Sequence, residues 1–128
     1  MEKKRILIVD DDGYNKKCKV MRSIIEEAGV QYDIALTLEE AIQKLFSMQK
    51  EIQYDAIILD RSFPERIGKK ATGKEGELLL KMMEKHKKEI PVLIHSTITT
   101  LPESELVVSR MSPWEFEKLQ HFLDYLVK

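Results

Sequence analysis

"ILIVDDDGYN", residues 6–15, sets four aliphatic side chains directly before three aspartates and a glycine. The first half reads as a strand with no polar face, as found inside a parallel sheet covered on both sides. The second half gathers three carboxylates where that strand would end. Adjacent carboxylates repel, and a hard divalent cation relieves the repulsion. Mg²⁺ is ordinarily held by one or two carboxylates together with waters or phosphate oxygens. The alternative is that one aspartate caps the next helix while the others are solvated. On this segment alone both readings stand.

The pattern repeats along the chain. Met21, Ile24, Ile25 and Ala28 recur at helical spacing, and Gly29 stops that helix. "QYDIAL" is a short second strand. Thr37 and Glu40 form a capping box for a helix whose stripe is Leu38, Ala41, Ile42 and Leu45. "YDAIILD" (54–60) is a third strand, again ending in aspartate, and "GELLLKMMEKHKK" a helix with Leu79, Met82, Met83 and His86 on one face. "PVLIHST" (91–97) and "ELVVSRM" complete five strands. The last helix opens at "SPWEFEKL", with Ser112 as N-cap, Pro113 in the first turn and Glu115 closing the box. Strands alternating with helices predict an α/β fold with a parallel sheet, and ligands then bind beyond the carboxyl ends of the strands. Asp10, Asp11, Asp12, Asp60, Ser96 and Thr97 would converge there.

The 128 residues predict one domain over 1–128, and 43% hydrophobic with 34% charged residues suits a globular chain. A net charge of −1 gives no electrostatic reason to expect nucleic acid or membrane as a partner. No apolar run approaches a membrane span, and no signal peptide opens the sequence. The single cysteine, Cys18, excludes an internal disulfide, fits a cytoplasmic location and reads as an inert packed thiol. His86, His95 and His121 are too scattered in sequence to suggest a zinc site.

With these residues in view, the chain resembles the receiver domains of two-component response regulators over nearly its whole length. "ILIVDDD" is similar to their first strand with its acidic pair, and "YDAIILDRSFP" to the third strand with its phosphoacceptor and following proline. "PVLIHST" is similar to the fourth strand, which ends in a hydroxyl residue. The resemblance implies a doubly wound, flavodoxin-like sheet in the order 2-1-3-4-5 with helices on both faces. It implies Asp60 as phosphoacceptor, with Asp10, Asp11, Asp60 and the carbonyl of Ser62 around Mg²⁺. Ser96 and Thr97 would stand against the phosphoryl group. The implied partners are a histidine kinase or phosphotransfer protein and a downstream protein target, with signalling by contact and no enzymatic activity of its own.

Three departures accompany the likeness. Ser112 stands where the family has a lysine, and Ser109 where it has an aromatic residue; Arg110 could replace the cation only if the fifth strand shifts in register. The stretch between Ser96 and Ser112 is too short for a full fourth helix, so "TITTLPESE" is expected to form only a turn or short helix. "ERIGKKATGKE" lengthens the loop after Asp60, and its Arg66, Lys69, Lys70 and Lys74 make a solvated loop, a substitute cation or a partner contact. Two other functions compete: a pseudo-receiver that is not switched by phosphate, and a haloacid-dehalogenase-like phosphatase with Asp10 as nucleophile and Asp12 as general acid/base.

Overall fold

The structure, a computed structural model, describes residues 3–47, 53–96, 104–112 and 114–128. Five strands are present: β1 (Arg5–Val9), β2 (Gln31–Ala35), β3 (Ala56–Asp60), β4 (Val92–His95) and β5 (Val107–Met111). Among the described residues they alternate with α1 (Lys19–Glu27), α2 (Leu38–Phe46), α3 (Glu75–Lys85) and α4 (Phe116–Val127); a 3-10 turn, Lys16–Cys18, precedes α1. The sheet order is β2-β1-β3-β4-β5 with every pair parallel, the doubly wound arrangement the sequence implies.

Alternate residues of the central strands bury on opposite faces. Leu7, Val9, Ile57, Leu59, Val92 and Ile94 meet α2 and α3 through Ala41, Leu45, Leu79 and Met83. Ile6, Ile8, Ile58 and Leu93 meet α1 and α4 through Met21, Ile25, Leu119 and Leu123. Burying such a side chain contributes roughly 2 kcal/mol, against roughly 1 kcal/mol net for a hydrogen bond, so side-chain burial, more than the ladder, fixes the register. At the amino edge of the sheet, Asp33 accepts from Arg5 at 3.0 Å and from the Tyr54 hydroxyl at 2.6 Å. Burial, reinforced by that carboxylate, pushes the Tyr54 hydroxyl well above its usual range.

The local sequence expectations fare unequally. The α2 cap forms as read: Thr37 Oγ1 accepts the Glu40 N–H at 3.1 Å, while Glu40 reaches back to the Leu36 N–H at 3.0 Å. On α3 the buried face is Leu79, Leu80 and Met83; Leu80 takes the place beside Leu59 and Ile94. His86 ends the helix exposed, with its ring edge-on to Phe46. The last helix starts at Phe116, four residues after the expected cap. Only half of that box forms, Glu115 accepting the Ser112 N–H at 3.0 Å, because the Ser112 hydroxyl is held by Arg110 at 3.2 Å. Pro113 and residues 97–103, most of the stretch expected to hold the shortened fourth helix, lie outside the described residues.

The long loop after β3 closes on Glu75, a buried carboxylate at the start of α3. It accepts from the Thr72 hydroxyl at 2.7 Å and from the Thr72 and Gly73 N–H groups. Burial would raise its pKa, yet these hydrogen bonds outweigh it and leave the group lowered. Replacing Glu75 by Ala removes several charge-assisted hydrogen bonds, and should cost about 2 kcal/mol in urea unfolding. An unchanged midpoint would show that the loop closes without it.

Candidate functional site

β1, β3 and β4 end level with one another: Val9 pairs with Leu59, Leu59 with Ile94, and Asp60 with His95. Asp10, Asp60 and Ser96 therefore leave the sheet at its carboxyl edge, where parallel sheets bind ligands. Asp10 is only 1% exposed, which removes the solvated-loop reading for this residue. Its N–H donates to Ala35 O at 3.0 Å, and its Oδ1 accepts the Asp12 N–H at 2.8 Å. Nor does an aspartate cap α1, whose N-cap is Cys18.

The rest of the acidic loop is tied down in turn. Asp12 Oδ1 accepts from the Asn15 amide at 3.0 Å, and Gly13 N–H donates to Asp10 O at 3.0 Å. The Arg22 guanidinium, reaching from α1, donates to the carbonyls of Gly13 and Asn15. Position 13 must be small, since a Cβ there would stand 2.5 Å from Ile34 Cγ2. Asp11 is left exposed. Carboxylate oxygens of Asp10, Asp11 and Asp12 lie within 4.8 Å of one another, while Asp60 stands on the neighbouring strand outside this group.

The segment after Asp60 is anchored from two sides. Phe63 is fully buried, and the carbonyls of Pro64 and Glu65 accept the first N–H groups of α2, Leu38 and Glu39, at 2.9 Å each. These contacts satisfy helix-end donors that have no partner inside the helix. Asp60 is partly exposed, with a long 3.4 Å contact from the Ser62 N–H. Gly76 lets the first turn of α3 press on the same strand end: an added Cβ would lie 3.1 Å from Asp60 O and 3.2 Å from Arg61 Cα. In the basic loop Lys69 pairs with Glu65 at 2.5 Å, whereas Lys70 and Lys74 are exposed.

On β5 the register does shift. Val92 pairs with Val107 but Leu93 with Ser109, so Val108 is an extra residue in a bulge. Arg110 then sits opposite Ile94, and its guanidinium donates to Ser96 O at 2.8 Å, with Glu115 at 3.7 Å. It lies next to the site, with its charge shared between a carbonyl and a carboxylate. Ser96 follows β4, its N–H bonded to Met111 O at 3.0 Å. Thr97 lies outside the described residues.

The sequence reading missed two side chains. His95 and Cys18, 77 positions apart, both face Asp10 Oδ2, His95 Nδ1 at 3.5 Å and Cys18 Sγ at 3.6 Å. The available signal was a histidine set within the otherwise aliphatic "PVLIH", directly after the buried Val92, Leu93 and Ile94.

This architecture is that of response-regulator receiver domains. A receiver domain from a Francisella response regulator superposes with a TM-score of 0.72 at 22% identity, covering 96% of this chain and 95% of that one. A two-component response regulator from Clostridium difficile gives 0.71 at 24% identity over 98% and 96%. The signal receiver domain of an HD domain-containing protein from Pseudomonas fluorescens gives 0.75 at 16% over 98% and 95%. No family model matches the chain, and no curated protein matches its sequence. No helix among the described residues is long and apolar enough to cross a membrane.

Beside this edge, Glu115 is held at a pKa of about 2 by the Ser112 hydroxyl first, then the Ser112 N–H and Lys118. An unfolded glutamate titrates at about 4.3. The folded value is the lower one, so the stabilisation is complete above the unfolded value and is lost as pH falls through the folded one. A carboxyl NMR titration should give a midpoint near 2 for Glu115. Ser112→Ala should raise it; an unmoved midpoint would mean that the hydroxyl does not hold the carboxylate.

Proposed function

We propose that this chain is a receiver that accepts a phosphoryl group on Asp60 and signals by protein contact. The observation that carries the reading is the convergence of Asp10, Asp60 and Ser96 at one carboxyl edge of a receiver-type sheet. An Asp60 carboxylate oxygen would attack the phosphorus of a phosphohistidine or acyl phosphate in line. The new P–O bond forms as the bond to the donor nitrogen or oxygen breaks, and the donor leaves with that electron pair. Such transfer depends on positioning and on charge neutralisation. Phe63, Gly76 and the α2 N–H groups position the Asp60 strand end. The Ser96 hydroxyl, with Thr97, would donate to a phosphoryl oxygen.

The residues fit Mg²⁺: clustered carboxylates supply oxygen donors, and exposed Asp11 offers a route from solvent. Asp11, Asp60 and the Ser62 carbonyl would hold it, with Asp10 orienting its water shell, and the ion would neutralise charge on the equatorial oxygens. The reading implies a cytoplasmic protein, phosphorylated by a histidine kinase or phosphotransfer protein. Its target would be a further protein.

One observation favours a second reading, a pseudo-receiver not switched by phosphate. Position 112 is serine, and Arg110 is already engaged by Ser96 O and Glu115. A phosphoryl group would then find no uncommitted cation on β5 among the described residues. The phosphatase reading is weaker, because Asp10 is buried and its Oδ1 is occupied by the Asp12 N–H.

With acetyl phosphate and Mg²⁺, intact-protein mass spectrometry should show one added phosphoryl group, absent from Asp60→Ala. No adduct in the wild type would favour the pseudo-receiver. Mg²⁺ at a hundredfold excess over its Kd should stabilise the wild type by about 2.7 kcal/mol. The double variant Asp11→Ala/Asp60→Ala should show no such gain; an equal gain would place the ion elsewhere.

A further inference from the structure

We propose that Asp10, Cys18 and His95 form a second, buried cation site, selective for a borderline-soft ion such as Zn²⁺. It differs from the oxygen site in donors and in burial. Three elements each supply one atom: Asp10 Oδ2 beyond β1, Cys18 Sγ in the turn before α1, and His95 Nδ1 at the end of β4. The three residues are 1%, 0% and 4% exposed. β3 lies between β1 and β4, so His95 reaches past the Asp60 strand to face Asp10.

The geometry suits a tetrahedral ion. Oδ2 stands 3.5 Å from Nδ1 and 3.6 Å from Sγ, and one ligand atom from each of the three residues lies within 4.8 Å of the other two. Ligand bonds of about 2.0–2.3 Å at tetrahedral angles separate neighbouring donors by roughly 3.3–3.8 Å, a range that contains both separations from Oδ2. The fourth position is left for water. Thiolate and imidazole donors select Zn²⁺ or Co²⁺, whereas Mg²⁺ demands oxygens and keeps its waters. The thiol proton leaves to solvent when the sulfur binds.

A metal-free account covers two of the three residues. The Cys18 thiol donates to Asp10 Oδ2, which satisfies both. It leaves His95 Nδ1 buried with no hydrogen-bond partner among the described residues, a costly state for a polar atom. A protonated His95 paired with Asp10 at 3.5 Å is the competing explanation, and it predicts no role for sulfur. Because Asp10 serves both sites, filling the buried one would alter the outer one. The inference itself needs neither Asp11 nor Asp60.

The test is Co²⁺ titration of the untagged, reduced, chelator-treated chain in excess Mg²⁺. Cys18 is the sole cysteine, so a thiolate-to-cobalt charge-transfer band can come from no other residue. Such a band, with the visible absorption of tetrahedral cobalt, is expected in the wild type, and Zn²⁺ should abolish both. Cys18→Ser should lose the charge-transfer band, and His95→Gln should weaken binding at least tenfold, with folding checked by circular dichroism. Asp11→Asn/Asp60→Asn should keep the spectrum, so a failure of phosphorylation and a failure of this site are read separately. Absence of the sulfur band in the wild type, or a cobalt spectrum lost only with Asp11 and Asp60, would overturn the proposal.

Discussion

Five strands run the same way with both faces covered by helices, so the sheet meets water chiefly at its ends and edges. Polar groups that would be prohibitive in the middle of β1 or β3 are tolerated at their carboxyl ends. All strands point alike, so those tolerated positions collect at a single edge. The acidic cluster, Asp60 and Ser96 owe their proximity to this constraint, although 86 positions separate Asp10 from Ser96.

The loops at that edge are held by backbone groups that the helices leave unmatched. The first N–H groups of α2 find carbonyls in the segment after Asp60, and Glu75 collects the donors of the loop before α3. Close approach does the remainder. Gly13 lets the acidic turn lie on Ile34, and Gly76 lets α3 press on the Asp60 strand end. Packing and helix-end hydrogen bonding thereby place the carboxylates.

Two kinds of donor meet on Asp10. Its surroundings toward solvent are carboxylates, suited to a hard cation. Toward α1 and β4 they are a thiol and an imidazole. On the far side of Ser96, Arg110 takes a carbonyl and a carboxylate, and Ser112 is drawn into the same cluster. The serine that reads as a helix cap is thus part of the seam joining β4, β5 and the start of α4.

Much of the fold was legible locally. Aliphatic runs such as "ILIV" and "AIIL" bury on both faces and so admit only inner strands, while Thr37 and Glu40 cap α2 because capping is settled within four residues. The edge carrying Asp10, Asp60 and Ser96 followed from strand direction alone. Side-chain placement after the Val108 bulge was not legible. It brings Met111 into the core and Arg110 to Ser96, an outcome of β5 competing for both partners and core. Arg110 also takes the Ser112 hydroxyl, so the cap before α4 is only half formed. Nor could spacing reveal that Cys18 and His95 face one oxygen of Asp10. Composition and period describe neighbours along the chain, whereas this meeting required a histidine long enough to reach past β3 toward a turn fixed by α1.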